Sequence, residues 1–143
     1  MARQGAARWR EHASESGDTA TIAFAESALA DSAAGPLLRG IFANSPYLTQ
    51  KLVSDIPFAR LIIEAGPDAA FEQTISTLNA DNVETMASAG AMTRLRQSKQ
   101  HAATAIGLAD ITGIWTLEQV TGALSRFAEV ALRQAVRLSL IHI

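Results

Sequence analysis

The sequence predicts an all-α protein, and three observations carry that prediction. Across 143 residues aromatics make up 6%, and no run alternates β-branched with polar residues as a half-buried strand does. Apolar residues recur instead at three-and-four spacing, the period of a helix with one buried face. The four prolines, Pro36, Pro46, Pro57 and Pro67, arrive about every ten residues, each just ahead of an apolar run. Proline suits the first helical position, where its missing N–H would have had no partner and its fixed φ is already helical. The expected architecture is several short helices followed by two long antiparallel ones.

In chain order, a helix is expected over 2–14, with Trp9 as its only large apolar residue, broken by Ser16-Gly17-Asp18. A second follows over 19–33, capped by Asp18 or Thr19, with Ile22, Ala25, Leu29 and Ala33 on one face and a stop at Gly35. The prolines then open helices over 36–43, 46–54, 57–65 and 67–79, with Ser45 in a turn. Leu37, Leu38, Ile41, Phe42, Tyr47, Leu48, Leu52, Phe58, Leu61, Ile62, Phe71, Ile75 and Leu78 supply their apolar faces. The proline spacing is no structural repeat, because the units share no other residue. Asp81-Asn82 is expected to cap a long helix over 83–110, with Gly90 in its interior.

That helix and the next form the core of the prediction. Met92, Leu95, Ala102, Ile106 and Ala109 make one stripe, ending at Gly113, which can take the left-handed conformation that stops a helix. Thr116 opens the next helix in a capping box with Gln119, an arrangement worth about 1 kcal/mol. Leu117, Val120, Leu124, Phe127, Ala131 and Leu138 form the facing stripe. If the two stripes pack, Leu95→Ala and Phe127→Ala should each cost several kcal/mol. Glu118 suits the first turn, and Glu129 precedes Arg133 in the favourable i,i+4 order.

Twelve basic and fourteen acidic residues leave a net charge of −2, which gives no global attraction to nucleic acid or anionic lipid. Nucleic acid and membrane are therefore not expected partners. The absence of cysteine removes disulfides, thiolate metal sites and thiol nucleophiles together. No apolar run reaches the roughly 18 residues of a membrane span, and no apolar segment follows Met1, so the cytoplasm is the expected compartment.

Catalytic chemistry is not apparent. His12, His101 and His142 lie far apart, with no metal-ligand spacing, and no phosphate-loop, dinucleotide or nucleophile-elbow motif occurs. Asp68 and Glu72 sit at an expected helix N-terminus, where the dipole favours solvated carboxylates over an acid/base pair. Arg94, Arg96 and Lys99, with His101 beyond, are the one basic cluster, which is either plain surface or a partner- or phosphate-facing patch. Asp110 opposes the dipole at a helix end, so Thr112 or a following arginine is expected to satisfy it.

Several of these residues also form a recognisable pattern. Leu95-Arg96-x-x-Lys99 is followed by Ala105-Ile106-Gly107-Leu108-Ala109-Asp110-Ile111-Thr112-Gly113, then by Trp115-Thr116-Leu117-Glu118-Gln119-Val120-Thr121 and Ala123-Leu124-Ser125-x-Phe127-Ala128. Together these resemble the bacterial glutamine synthetase adenylyltransferase, also called the adenylyl-removing enzyme, in its alphaproteobacterial form. Ile41-Phe42-Ala43-Asn44-Ser45-Pro46-Tyr47-Leu48-Thr49 is similar to the same family's N-terminal region, so the resemblance spans about Trp9 to Arg137.

The resemblance implies a large protein with two nucleotidyltransferase domains, one attaching AMP to glutamine synthetase and one removing it by phosphorolysis. The implied partners are glutamine synthetase and the PII signalling protein, with ATP and magnesium as cofactors of the parent and none in this fragment. Only the helical start of the adenylyl-removing half is matched. The strand, Gly-x-Gly-Lys-Leu-Gly turn and metal-holding Asp-x-Asp that follow in the family are missing, so no catalytic, cofactor or metal residue is carried over. Gln100 and His101 stand where relatives show further arginines, which weakens a phosphate-facing role for Arg94, Arg96 and Lys99.

The implied organisation is an N-terminal helix or frayed segment at 1–18, the family's helical part at 19–137 and a tail at 138–143. That tail resembles the in-frame translation of a sequencing-library transposon adapter and is expected to be non-native. The expected function is a non-catalytic fragment of the glutamine synthetase-regulating enzyme, lacking the α/β nucleotidyltransferase core. The alternative is a stand-alone helical interaction module.

Overall fold

The computed structural model describes residues 1–81 and 85–141, and among them every regular element is a helix, as the sequence predicts. In order these are α1 (Ala2–Glu15), α2 (Thr19–Ala30), α3 (Ala34–Asn44), α4 (Pro46–Ser54), α5 (Ile56–Ala80), α6 (Ser88–Ile111) and α7 (Leu117–Ile141). Two compact units divide the chain, Met1–Gly66 and Pro67–Ile143. The boundary lies inside α5, where Gly66 has φ 90° and ψ 162°. Side chains rarely tolerate that conformation; glycine does, and Pro67 restarts the helix without needing a partner for an N–H.

In the first unit Trp9 is fully buried, and its indole N–H donates to the Ala25 carbonyl at 3.0 Å. Phe24 and Phe42 each lie 6.2 Å from it between ring centroids. This is how α1 docks on α2 and α3. Gly5 permits the approach, since a Cβ there would stand 2.5 Å from the Phe42 Cβ. Gly5→Ala should therefore destabilise this unit by about 1–3 kcal/mol, seen as a lower urea midpoint. An unchanged midpoint would mean that α1 is not seated on α3.

Asp18 caps α2, its Oδ2 accepting from the Thr21 amide at 3.2 Å and the Thr21 hydroxyl at 2.6 Å. The expected 19–33 helix ends early, at Ala30. Asp31 takes an extended conformation and its Oδ1 accepts from the amides of Ala33 and Ala34, both at 2.8 Å, which starts α3 ahead of Pro36. Ala33 thus leaves the α2 face. Gly35 does not stop a helix; it lies in the first turn of α3, where a Cβ would come 2.5 Å from the Leu29 carbonyl oxygen. Ser45 caps α4 through the Leu48 amide, and Asp55 caps α5 through the Phe58 amide. All four prolines fall in first turns, where amides are free.

In the second unit α6 and α7 form an antiparallel hairpin, with Ala91 near the start of α6 packed on Leu138 near the end of α7. Gly113, at φ 70°, makes the turn. The Thr116–Gln119 capping box forms in both directions, at 3.2 and 2.8 Å. Two expectations need correction. The long helix expected over 83–110 begins at Ser88, after Thr85-Met86-Ala87 in a turn, so Gly90 lies in its first turn. Asp81 does not supply the cap, because its carboxylate pairs with Arg94 at 3.4 Å; Asn82 and Val83 lie outside the described residues.

The second correction concerns the α7 stripe. Val120, Ala123, Val130, Gln134 and Leu138 are buried, Phe127 and Ala131 half-buried, and Leu117 and Leu124 are 77% and 52% exposed. Helical spacing alone fits either of two apolar faces, and packing selects the one centred on Ala123 and Val130. On α6, Ala102, Ile106 and Ala109 are buried as expected, Leu95 is half-buried and Met92 exposed. Neither Leu95→Ala nor Phe127→Ala opens an enclosed cavity, so several kcal/mol is too large a cost for either.

Candidate functional site

Residues 67–80 of α5 place Asp68 and Glu72 one turn apart on one face, and both carboxylates are used. Asp68 Oδ1 accepts from the Trp115 indole N–H at 2.8 Å. The Trp115 ring stands edge-on to Phe71, 5.7 Å away at 89°. Arg126 forks onto Glu72, with Nη1 on Oε1 and Nη2 on Oε2 at 3.0 Å, and its guanidinium lies 5.9 Å from the Phe71 ring centroid. Further along, the buried Gln134 amide donates to the Leu78 carbonyl at 2.8 Å.

These three rungs seat α7 on the second half of α5, both running in the same sense. Asp68 and Glu72 are both exposed, as expected for solvated carboxylates, and each also holds a specific partner.

The Arg126 hydrogen bonds hold the Glu72 carboxyl below its ordinary range, and the carboxylate holds the Arg126 guanidinium above its own. A carboxyl with a depressed folded-state pKa contributes stability above its unfolded pKa, lost as pH falls. This contribution should begin to fall near the unfolded value of roughly pH 4.3 and be lost as pH drops through the lower folded-state value. Both side chains are about half exposed, so Arg126→Ala should cost no more than about 1 kcal/mol at pH 7. At pH 3 the gap between its urea midpoint and that of the parent should be smaller than at pH 7. A gap of the same size at pH 3 and pH 7 would assign the loss to packing on Phe71 instead.

The structure divides the basic cluster. Arg94 pairs with Asp81, whereas Arg96, two residues on, is turned about 200° around α6. Arg96 and Lys99 share a side and are exposed. Asp110 is exposed, and the Thr112 hydroxyl serves the Leu108 carbonyl at 2.6 Å instead of that carboxylate. His12 Nδ1 stands 4.0 Å from Glu15, His101 is half-buried on α6, and His142 lies outside the described residues. Among the described residues no three His, Asp or Glu side chains gather as metal ligands would, and no helix is long and apolar enough to cross a membrane.

The turn and seat just described fall in a segment with known relatives. The model of the family described as glutamate-ammonia ligase adenylyltransferase matches residues 36–142. The chain belongs to this family.

The bifunctional glutamine synthetase adenylyltransferase/adenylyl-removing enzyme of Bradyrhizobium sp. strain BTAi1 is 35% identical over 101 residues, 71% of this chain and 10% of that protein. The protein of the same name from Brucella suis biovar 1 is 30% identical over 109 residues, 76% of this chain and 11% of its own length. That from Caulobacter vibrioides is 36% identical over 105 residues, 70% of this chain and 10% of its own length. The chain thus spans about a tenth of the length of these curated relatives. No solved structure matches it. The family match begins at residue 36, so the expected resemblance from Trp9 to Gly35 lies outside it, and it runs past Arg137 to residue 142.

Proposed function

We propose that the chain is a non-catalytic helical segment from the adenylyl-removing half of an enzyme that adenylylates and deadenylylates glutamine synthetase in nitrogen regulation. The observation that carries this is the family match over residues 36–142, spanning the turn and the braced helix α7. In this proposal the hairpin is a scaffold that helps to position a nucleotidyltransferase domain lying elsewhere in the polypeptide. Trp115, Arg126 and Gln134, tied to α5, fix the direction in which α7 presents the chain.

The parent would use ATP and magnesium, act on glutamine synthetase in the cytoplasm and answer to PII. The metal would be held by the family's Asp-x-Asp pair, a motif that does not occur in this sequence. Arg96 and Lys99 would meet a partner as exposed positive charge; Arg94, tied to Asp81, would contribute less.

Reading the parent DNA tests the proposal. An in-frame continuation into Gly-x-Gly-Lys-Leu-Gly and Asp-x-Asp is expected. A natural stop codon directly after this segment would favour a stand-alone helical interaction module, for which the exposed leucines of α7 are the specific support.

A further inference from the structure

At about 100° per residue, α7 divides into three sectors. Val120, Ala123, Val130, Gln134 and Leu138 lie within an arc of about 80° and are buried in this unit. Glu118, Arg126, Glu129, Arg133 and Arg137 fall within a second arc of about 100°, which also carries Val136 and Leu140 and from which Arg126 reaches Glu72. Leu117, Leu124, Ala128, Leu132 and Ala135 share a third arc of about 80° with Thr121 and Ser139 and with no charged residue. Leu117 is 77% exposed, Leu124 52% and Leu132 66%.

A surface helix of a globular protein has one apolar stripe and a polar remainder; a second apolar face belongs to a helix enclosed on two sides. Isolated exposed leucines are ordinary, but three on one uncharged sector of one helix mark an interface. Permanent interfaces are more apolar than transient ones, and this sector has no charge of its own. Relatives carry about nine tenths of their polypeptide outside the region that matches this chain, and the match runs along the whole of α7 to residue 142.

We infer that the Leu117–Leu124–Leu132 face of α7 is an internal interface of the parent-length protein, on which an apolar surface from the rest of the same polypeptide packs. This rests on the scaffold proposal above and names the surface through which the scaffold acts. Burying that sector, which flanks the buried one, while the rungs to α5 hold α7 from the other side, would enclose α7 on adjoining sides.

The chain has no cysteine, so single cysteines report cleanly. Leu124→Cys, Leu132→Cys and, as control on the charged sector, Arg133→Cys are made both in this 143-residue chain and in the parent-length protein, and maleimide labelling rates are measured. In the short chain all three should label at similar rates. In the parent-length protein Leu124→Cys and Leu132→Cys should slow about tenfold or more, as for groups reached only through local opening, and Arg133→Cys should not. Unchanged rates at 124 and 132 would overturn the inference. So would slow labelling already in the short chain, whether it rises with dilution, as for a second copy, or not, as for cover by residues 1–66. Deadenylylation by the same parent-length samples separates the two proposals: activity without protection sinks the interface alone, and protection without activity sinks the functional proposal alone.

Discussion

Trp9→Ala is expected to lower the stability of the 1–66 unit by about 3–5 kcal/mol, the range for deleting an enclosed large aromatic. Trp9 is the largest fully buried side chain of α1, and three losses coincide at it. The ring leaves the space between Phe24 and Phe42, the Ala25 carbonyl loses its indole donor, and α1 loses its anchor on α2 and α3. Small domains have roughly 5–15 kcal/mol in total, so the unit would be left near its unfolding threshold. Urea unfolding followed by circular dichroism measures it. Trp9→Phe separates the causes: it keeps much of the packing and removes the donor, so it should cost roughly 1–3 kcal/mol. Equal midpoints for Trp9→Ala and the parent would mean that α1 contributes no core.

Phe71→Ala should have a comparable effect on the second unit, about 3–5 kcal/mol. Phe71 is 3% exposed, and its ring is the surface against which both Trp115 and Arg126 are set. Its loss therefore reaches past the cavity to the seat of α7. Trp115 is the sole tryptophan of this unit, so in a Trp9→Phe background its emission should shift to longer wavelength as the indole meets water. A stability loss with unshifted emission would show that Trp115 is held by Asp68 without Phe71.

How much of this was legible in the sequence follows from the range of each interaction. The proline at the start of α4, the Gly113 stop and the Thr116–Gln119 box rest on contacts within one turn and form as expected, while Pro36 and Pro57 fall one or two residues inside their helices. The misjudged boundaries have local competitors that pattern alone does not weigh. Asp31 could have continued α2 but caps α3, and Asp81 pairs with Arg94 and leaves α6 to begin at Ser88.

The seat of α7 lay beyond sequence reasoning for a different reason. Asp68 meets Trp115 across 47 residues, Glu72 meets Arg126 across 54 and Leu78 meets Gln134 across 56. No local spacing encodes such pairs. One signal was present: a glutamine within an apolar face, as Gln134 is, calls for a buried partner such as a free carbonyl. The α7 stripe was half legible, because a helix with two apolar sectors has no unique face until its neighbours are known.

The proposed role is that of a segment of an enzyme acting on glutamine synthetase that does not itself carry the chemistry. It is tested most directly by incubating adenylylated glutamine synthetase with phosphate and magnesium, adding either the 143-residue chain or the parent-length protein, and following release of the adenylyl group. The account predicts turnover by the parent-length protein and none by the chain. Turnover by the chain alone would contradict it.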